Sequence, residues 1–173
     1  MAILYCILPL DPAIHDRAGF NCGVEALNAY LARGAMQDVR RRAAGCWVLV
    51  DMANPSEVLG FYTLSSDTVQ AQDLPEMTIA QRKQLGPYPK LGAYLLGRLA
   101  VAASQQRRGL GTRLLFDAIS RCANAEIRAP LIVLDAKDAD AEAFYCGLGF
   151  GRLVSGRLYA PLDALRERLR SSG

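Results

Sequence analysis

The run QRRGLG, Gln106 to Gly111, joins an apolar stretch with strand character to an amphipathic stretch with helix character. Glycines at such a junction let the backbone approach a ligand closely. The first amides of the following helix have no carbonyl one turn earlier, so they point outward and attract an anion, phosphate above all. A Walker A loop requires GxxxxGK[ST], and the chain contains no such string. The dinucleotide fingerprint GxGxxG is met only at Gly109 and Gly111, because Leu114 occupies the third small position. The turn also lies past the middle of the chain, leaving too few residues to complete a doubly wound sheet. Taken alone, the glycine pair fits equally a plain tight turn with Arg107, Arg108 and Arg113 solvated.

Other residue types narrow the chemistry. The single histidine, His15, reads as a surface loop residue and excludes His-rich metal sites and makes a His-based triad a strained reading. Five scattered cysteines (Cys6, Cys22, Cys46, Cys122, Cys146) form no CxxC pair and read as small buried hydrophobes in a reducing compartment. No metal site is expected. The net charge is only +3, yet basic residues cluster at VRRR and QQRRGLGTR, so a positive face and an anionic ligand are expected. Arg98 stands inside the strand-like LLGRLAV, where a charge must leave the core or be paired, with Asp67 or Asp135 as the partners to hand.

The elements that must position these residues follow from the patterning. The chain has 173 residues, 51% of them hydrophobic, which suits one domain over 1–173. AILYCILPL predicts a strand ending at Pro9. FNCGVEALNAYLARGAMQDVRRRA predicts one or two helices, N-capped by Asn21 and broken at Gly34. CWVLVDM and VLGFYTLSS predict an antiparallel hairpin about the NPSE turn. Residues 70–90 predict a long excursion with a short helix from Ile79. AYLLGRLAVAA is the next strand, and the helix after the basic turn buries Leu110, Leu114, Leu115, Ala118, Ile119 and Cys122 on one face. PLIVLDA has the unbroken apolar character of a central strand. DADAEAFYCGLGF predicts a short helix stopped by Gly147 or Gly149, FGRLVSGRLYAPL a closing strand pair, and DALRERLR a terminal helix. The order is mixed α/β. The apolar runs fall short of the roughly 20 residues of a spanning helix, and the N-terminus lacks signal-peptide features, so a cytoplasmic location is expected.

QRRGLG matches the QxxGxG turn of the GCN5-related N-acetyltransferases (GNAT), and AEAFYCGLGF, Ala141 to Phe150, resembles their later AxxFYxxxGF motif at the expected distance. The resemblance runs from Tyr5 to Leu162. It implies a central mixed, mostly antiparallel sheet flanked by helices, with acetyl-coenzyme A as co-substrate. It also implies a pyrophosphate cradle of Gln106, Arg107, Arg108, Gly109, Leu110, Gly111 and Thr112, pantetheine pairing along Leu99, Ala100 and Val101, and a cofactor contact from Phe144. FNCGVEALNAYL, GFYTLSS and LLGRLAV further resemble the acetyltransferase toxins of toxin–antitoxin modules, of the TacT and AtaT type. That group acetylates the α-amino group of aminoacyl-tRNA, forms homodimers and is neutralised by a ribbon-helix-helix antitoxin. The group usually carries an acidic residue where Ala102 stands.

Within that resemblance the residues acquire roles. A phenol near pKa ~10 keeps its proton at pH 7 and can give it to a departing thiolate, which makes Tyr145 the expected general acid. Its other reading is an aromatic core residue beside Phe144. No general base stands out, although Glu25, Glu57, Asp67 or Glu142 could act through a water. An α-amino acceptor near pKa ~8 needs one less than a lysine near ~10.4. Arg98, facing the acceptor cleft or the donor entrance, and the basic run Arg40, Arg41 and Arg42 are the substrate-binding residues expected. A housekeeping N-acetyltransferase for a small amine or a protein N-terminus, and a non-catalytic module keeping the coenzyme fold, are the alternatives.

Overall fold

Segments rich in β-branched and aromatic residues ladder much as their patterning predicts. The computed structural model describes residues 2–171. Strands β1 (Tyr5–Pro9), β2 (Gly45–Asp51), β3 (Gly60–Gln70), β4 (Lys90–Val101), β5 (Leu131–Leu134), β6 (Gly151–Arg152) and β7 (Leu158–Pro161) form a seven-stranded sheet in the order β1-β2-β3-β4-β5-β7-β6. β4 and β5 run parallel; β1/β2, β2/β3, β5/β7 and β6/β7 are antiparallel. With helices α1 (Glu25–Ala29), α2 (Ala35–Arg40), α3 (Ile79–Leu85), α4 (Leu110–Ala123), α5 (Ala139–Gly147) and α6 (Leu162–Ser171), this is the mixed α/β class expected. No helix among the described residues is long and apolar enough to cross a membrane. The described residues divide into two compact units, one within 1–65 and 96–118, the other within 66–95 and 119–173.

The first unit buries Leu31, Ala35, Val48, Val50, Phe61 and Ala100 in one cluster, with Phe20 edge-on to Phe61 at 5.4 Å. Three expectations change here. Asn21 does not cap the helix: its Oδ1 accepts the Gly23 N–H at 2.9 Å, closing a local turn, and Gly23 at φ +85° redirects the chain so that Val24 is the capping residue. Gly34 does not break the helix. Between α1 and α2 the chain makes a π-helical turn, Tyr30–Gly34, and Gly34 keeps right-handed helical angles. Its lack of a side chain has another use, because a Cβ there would sit 2.9 Å from a carbon of the Tyr30 ring. His15 is not on the surface: it is only 4% exposed, and its Nδ1 accepts the Asp11 N–H at 2.9 Å within a tight turn.

The second unit packs Val69, Leu91, Ala93, Leu131, Val133, Leu153 and Tyr159 together. All four residues of β5 are buried, as an uninterrupted apolar strand requires. A Thr78/Gln81 capping box starts α3, and the Asp138 carboxylate accepts the Ala141 N–H at 2.8 Å to start α5. Arg157 donates to Asp67 at 2.8 Å and Asp135 at 3.2 Å, so both carboxylates considered as partners of Arg98 are engaged by another guanidinium. Every residue expected on the apolar face of α4, from Leu110 to Cys122, is buried. Cys22, Cys46 and Cys122 are buried as expected, whereas Cys6 is half-buried and Cys146 exposed, on the outer face of α5.

Candidate functional site

The QRRGLG turn belongs to the first unit. After β4 the chain makes one 3-10 turn, Ala103–Gln105, passes through Gln106–Gly109 and enters α4. The Gln106 side-chain amide donates to the Cys22 and Val101 carbonyls, both at 3.0 Å. Its side-chain donors therefore fasten the turn to the end of β4 and to the loop before α1. Arg107 at φ +61° and Gly109 at φ +77° give the alternating backbone of an anion nest. A Cβ on Gly109 would meet nothing within 4 Å, so its backbone angle, not crowding, requires glycine. Leu110 is buried and anchors the start of α4, leaving Gly111 and Thr112 half-buried in the first turn.

The guanidinium groups around the turn are not equivalent. Arg107 and Arg108 are exposed, Arg108 reaching the Gln105 side chain at 3.2 Å. Arg113, solvated in the plain-turn reading, donates to the Tyr5 carbonyl at 2.9 Å. Free helix amides, a nest and two exposed guanidinium groups are a donor set matched to a pyrophosphate. The β4/β5 ladder comprises Ala93–Leu95 against Leu131–Val133, so Leu99, Ala100 and Val101 lie past its last pair. Among the described residues, no group of three or more His, Cys, Asp or Glu could hold a metal ion.

A second cluster of the same unit surrounds Arg98. Its guanidinium carbon lies 3.5 Å from the centroid of the Tyr30 ring. Tyr30 donates its hydroxyl to Asp38 Oδ2 at 2.8 Å, and burial, reinforced by that carboxylate, pushes the phenol far above its ordinary range. Arg40 closes α2, and Arg41 and Arg42 follow it; all three are exposed. Sequence reasoning did not single out Tyr30.

Tyr145 belongs to the second unit, on α5. Its ring is buried, with edge contacts to Phe144 at 5.0 Å and Phe150 at 5.6 Å between centroids. Its hydroxyl has no hydrogen-bond partner among the described residues, and that oxygen is not one of the fully enclosed atoms. Burial pushes its pKa up to about 12, so the phenol stays protonated throughout the neutral range. Of the carboxylates weighed as bases, Glu142 pairs with Arg152, Asp67 with Arg157, and Glu57 accepts from Asn54 at 3.1 Å. Glu25 is exposed in the first turn of α1.

Comparison with known proteins agrees with these features. Residues 90–159 match the model of the acetyltransferase (GNAT) domain. The tRNA-acetylating toxin of Mycobacterium tuberculosis (strain ATCC 25618 / H37Rv) is 35% identical over 137 residues, 78% of each chain. The solved structure of AtaT complexed with acetyl-methionyl-tRNAfMet superposes with a TM-score of 0.84 at 27% identity, covering 95% of this chain and 99% of that one. A tyrosine-to-phenylalanine mutant of AtaT, bound to the C-terminus of the antitoxin AtaR and acetyl-CoA, gives a TM-score of 0.77 at 25% identity, covering 95% and 98%.

Proposed function

This chain belongs to the GNAT acetyltransferase family, and from that premise we propose that it is the toxin of a toxin–antitoxin pair, transferring the acetyl group of acetyl-CoA to the α-amino group of aminoacyl-tRNA and so stopping translation. The observation that carries this reading is the 35% identity to a tRNA-acetylating toxin over 78% of the chain. The local geometry supports it: a nest fitted to a pyrophosphate, and a protonated, accessible phenol on the FY motif.

Bound acetyl-CoA supplies a thioester open to attack by an amine, with a thiolate as the leaving group. The amides from Arg107 to Thr112, with the Arg107 and Arg108 side chains, hold the pyrophosphate, and Gln106 keeps that loop in shape. The peptide groups of Leu99–Val101 align the pantetheine arm, and Phe144 flanks it. Tyr145 holds a proton on Oη at neutral pH and delivers it to the departing sulfur. Burial penalises a thiolate as it penalises a phenolate, so the raised pKa of the phenol does not by itself disqualify it as the donor. Most of the carboxylates that could serve as a base are occupied by other side chains. This favours an amine already partly neutral at pH 7, as an α-amino group near pKa ~8 is.

The remaining parts of the reading follow the resemblance to the toxin group. Residues 1–173 constitute one acetyltransferase domain, the protein acts in the cytoplasm as a homodimer, and a ribbon-helix-helix antitoxin neutralises it. The test is direct. Purified protein, acetyl-CoA and a panel of charged tRNAs are incubated, and the aminoacyl ends are read by mass spectrometry. Acetylation of the amino acid on at least one charged tRNA is expected. A protein that binds acetyl-CoA yet modifies none of them overturns the proposal.

A further inference from the structure

Tyr30 is held on every side. Its hydroxyl is tied to Asp38 at 2.8 Å, its ring stacks on Phe61 at 6.3 Å with an interplanar angle of 22°, and one face lies against Gly34, where even a methyl group would collide at 2.9 Å. The residue also sits at the start of a π-helical turn, a distortion that recurs at functional sites. Above the ring lies Arg98, 3.5 Å away. Arg98 is half-buried, and its guanidinium makes no hydrogen bond or ion pair among the described residues. A guanidinium has five N–H donors in a rigid fork, and stacking on an aromatic face fixes that fork without consuming any of them. A partly desolvated cation whose donors are all unspent is arranged for a ligand oxygen. It is placed on β4 one residue before the Leu99–Val101 segment.

We propose that Tyr30 is a positioning residue that aims Arg98 at a phosphodiester oxygen of the nucleic-acid acceptor, with Gly34 and Asp38 fixing the ring. The inference rests on the reading of the acceptor as charged tRNA and adds the residues that seat its strand. Phosphate suits the fork because two parallel N–H···O bonds match its geometry, which Lys in the same place does not offer.

The experiment measures steady-state kinetics on charged tRNA at several salt concentrations for the wild type, Arg98→Gln, Arg98→Lys, Tyr30→Phe and Tyr30→Leu. Arg98→Gln is expected to raise the KM for charged tRNA about 10-fold or more, leave the KM for acetyl-CoA unchanged, and reduce the salt slope of kcat/KM by about 1, the signature of one lost phosphate contact. Arg98→Lys should recover the slope but not the affinity. Tyr30→Phe keeps the stacked ring and should rescue most of the KM lost in Tyr30→Leu. Three results overturn the proposal: an unchanged salt slope in Arg98→Gln, a rise in the KM for acetyl-CoA in place of that for tRNA, or equal effects of Tyr30→Phe and Tyr30→Leu. Should Tyr30→Leu fail to fold, the Arg98 pair still decides, since its readouts are ratios within folded protein. Wild-type protein inactive on every charged tRNA removes the broader functional reading, a failure distinct from wild-type activity that the variants leave untouched.

Discussion

Replacing Tyr145 by Phe removes one oxygen and leaves the ring. Because the ring makes its edge contacts to Phe144 and Phe150 through carbon, and the hydroxyl bonds to nothing among the described residues, the variant keeps its packing. Its stability should change by no more than about 0.5 kcal/mol, as for substitutions that disturb no buried contact. Catalysis should suffer far more. Losing a positioned general acid typically costs ~10²- to 10⁴-fold, equivalent to about 2.7 to 5.4 kcal/mol of barrier. The loss should fall on kcat, with the KM for acetyl-CoA within about 2-fold, since a group that acts only as charge develops contributes little to ground-state binding. The measurement is single-turnover acetylation of charged tRNA, beside a thermal melt of the same preparation. The raised pKa adds a second readout: with the phenol near about 12, the deficit should stay the same from pH 6 to pH 9. A kcat within about 3-fold of wild type would refute the acid role. A melt lowered by several degrees would show instead that the hydroxyl holds the fold.

Three further outcomes are expected. The wild-type rate should rise with pH as the acceptor amine loses its proton near pKa ~8, then hold level to about pH 10, because a phenol pushed up to about 12 is still protonated there; a fall beginning below pH 9 would contradict this. Gly109→Ala should weaken acetyl-CoA binding in calorimetry and cost about 1 kcal/mol of stability, since the new methyl has room but the φ of +77° is strained for alanine. His15 is buried with a lowered pKa caused chiefly by desolvation, so below about pH 6.5 the unfolded chain binds a proton that the native state refuses. Stability therefore falls as pH drops through that window, by at most about 1.4 kcal/mol per pH unit, and urea titrations at pH 7 and pH 5 should show His15→Asn losing less than wild type.

What the residues disclosed in advance was whatever is written in local periodicity. The six apolar positions of α4, the four of β5 and the hairpin about NPSE all follow from local patterning, and the two motifs single out the QRRGLG turn and Tyr145. Features decided by partners remote in the chain were not visible. Asp67 and Asp135 pair with Arg157 rather than Arg98, a choice made by which strand ends meet. Asn21 has the chemistry of a cap, but Gly23 turned the chain before the helix could use it. His15 is polar enough to suggest the surface, yet a bond from the Asp11 amide draws it inside. Gln106, the first letter of the motif, binds the chain itself, which no motif match distinguishes from binding the ligand.

The π-helical turn also bears on how this helix tolerates insertion and deletion. In an unbroken α-helix, residues eight apart are turned about 80° from one another, so Tyr30 and Asp38 would not share a face. The wide turn absorbs one residue, and Asp38 takes the angular position of a residue seven on, about 20° from Tyr30, where their 2.8 Å bond forms. Removing one residue between the two would restore regular hydrogen bonding and leave the outer ends of the helix in phase. Such a deletion would look silent in a fold comparison, and Tyr30 and Asp38 would stay about 20° apart on one face, so the ring beneath Arg98 would keep its carboxylate partner.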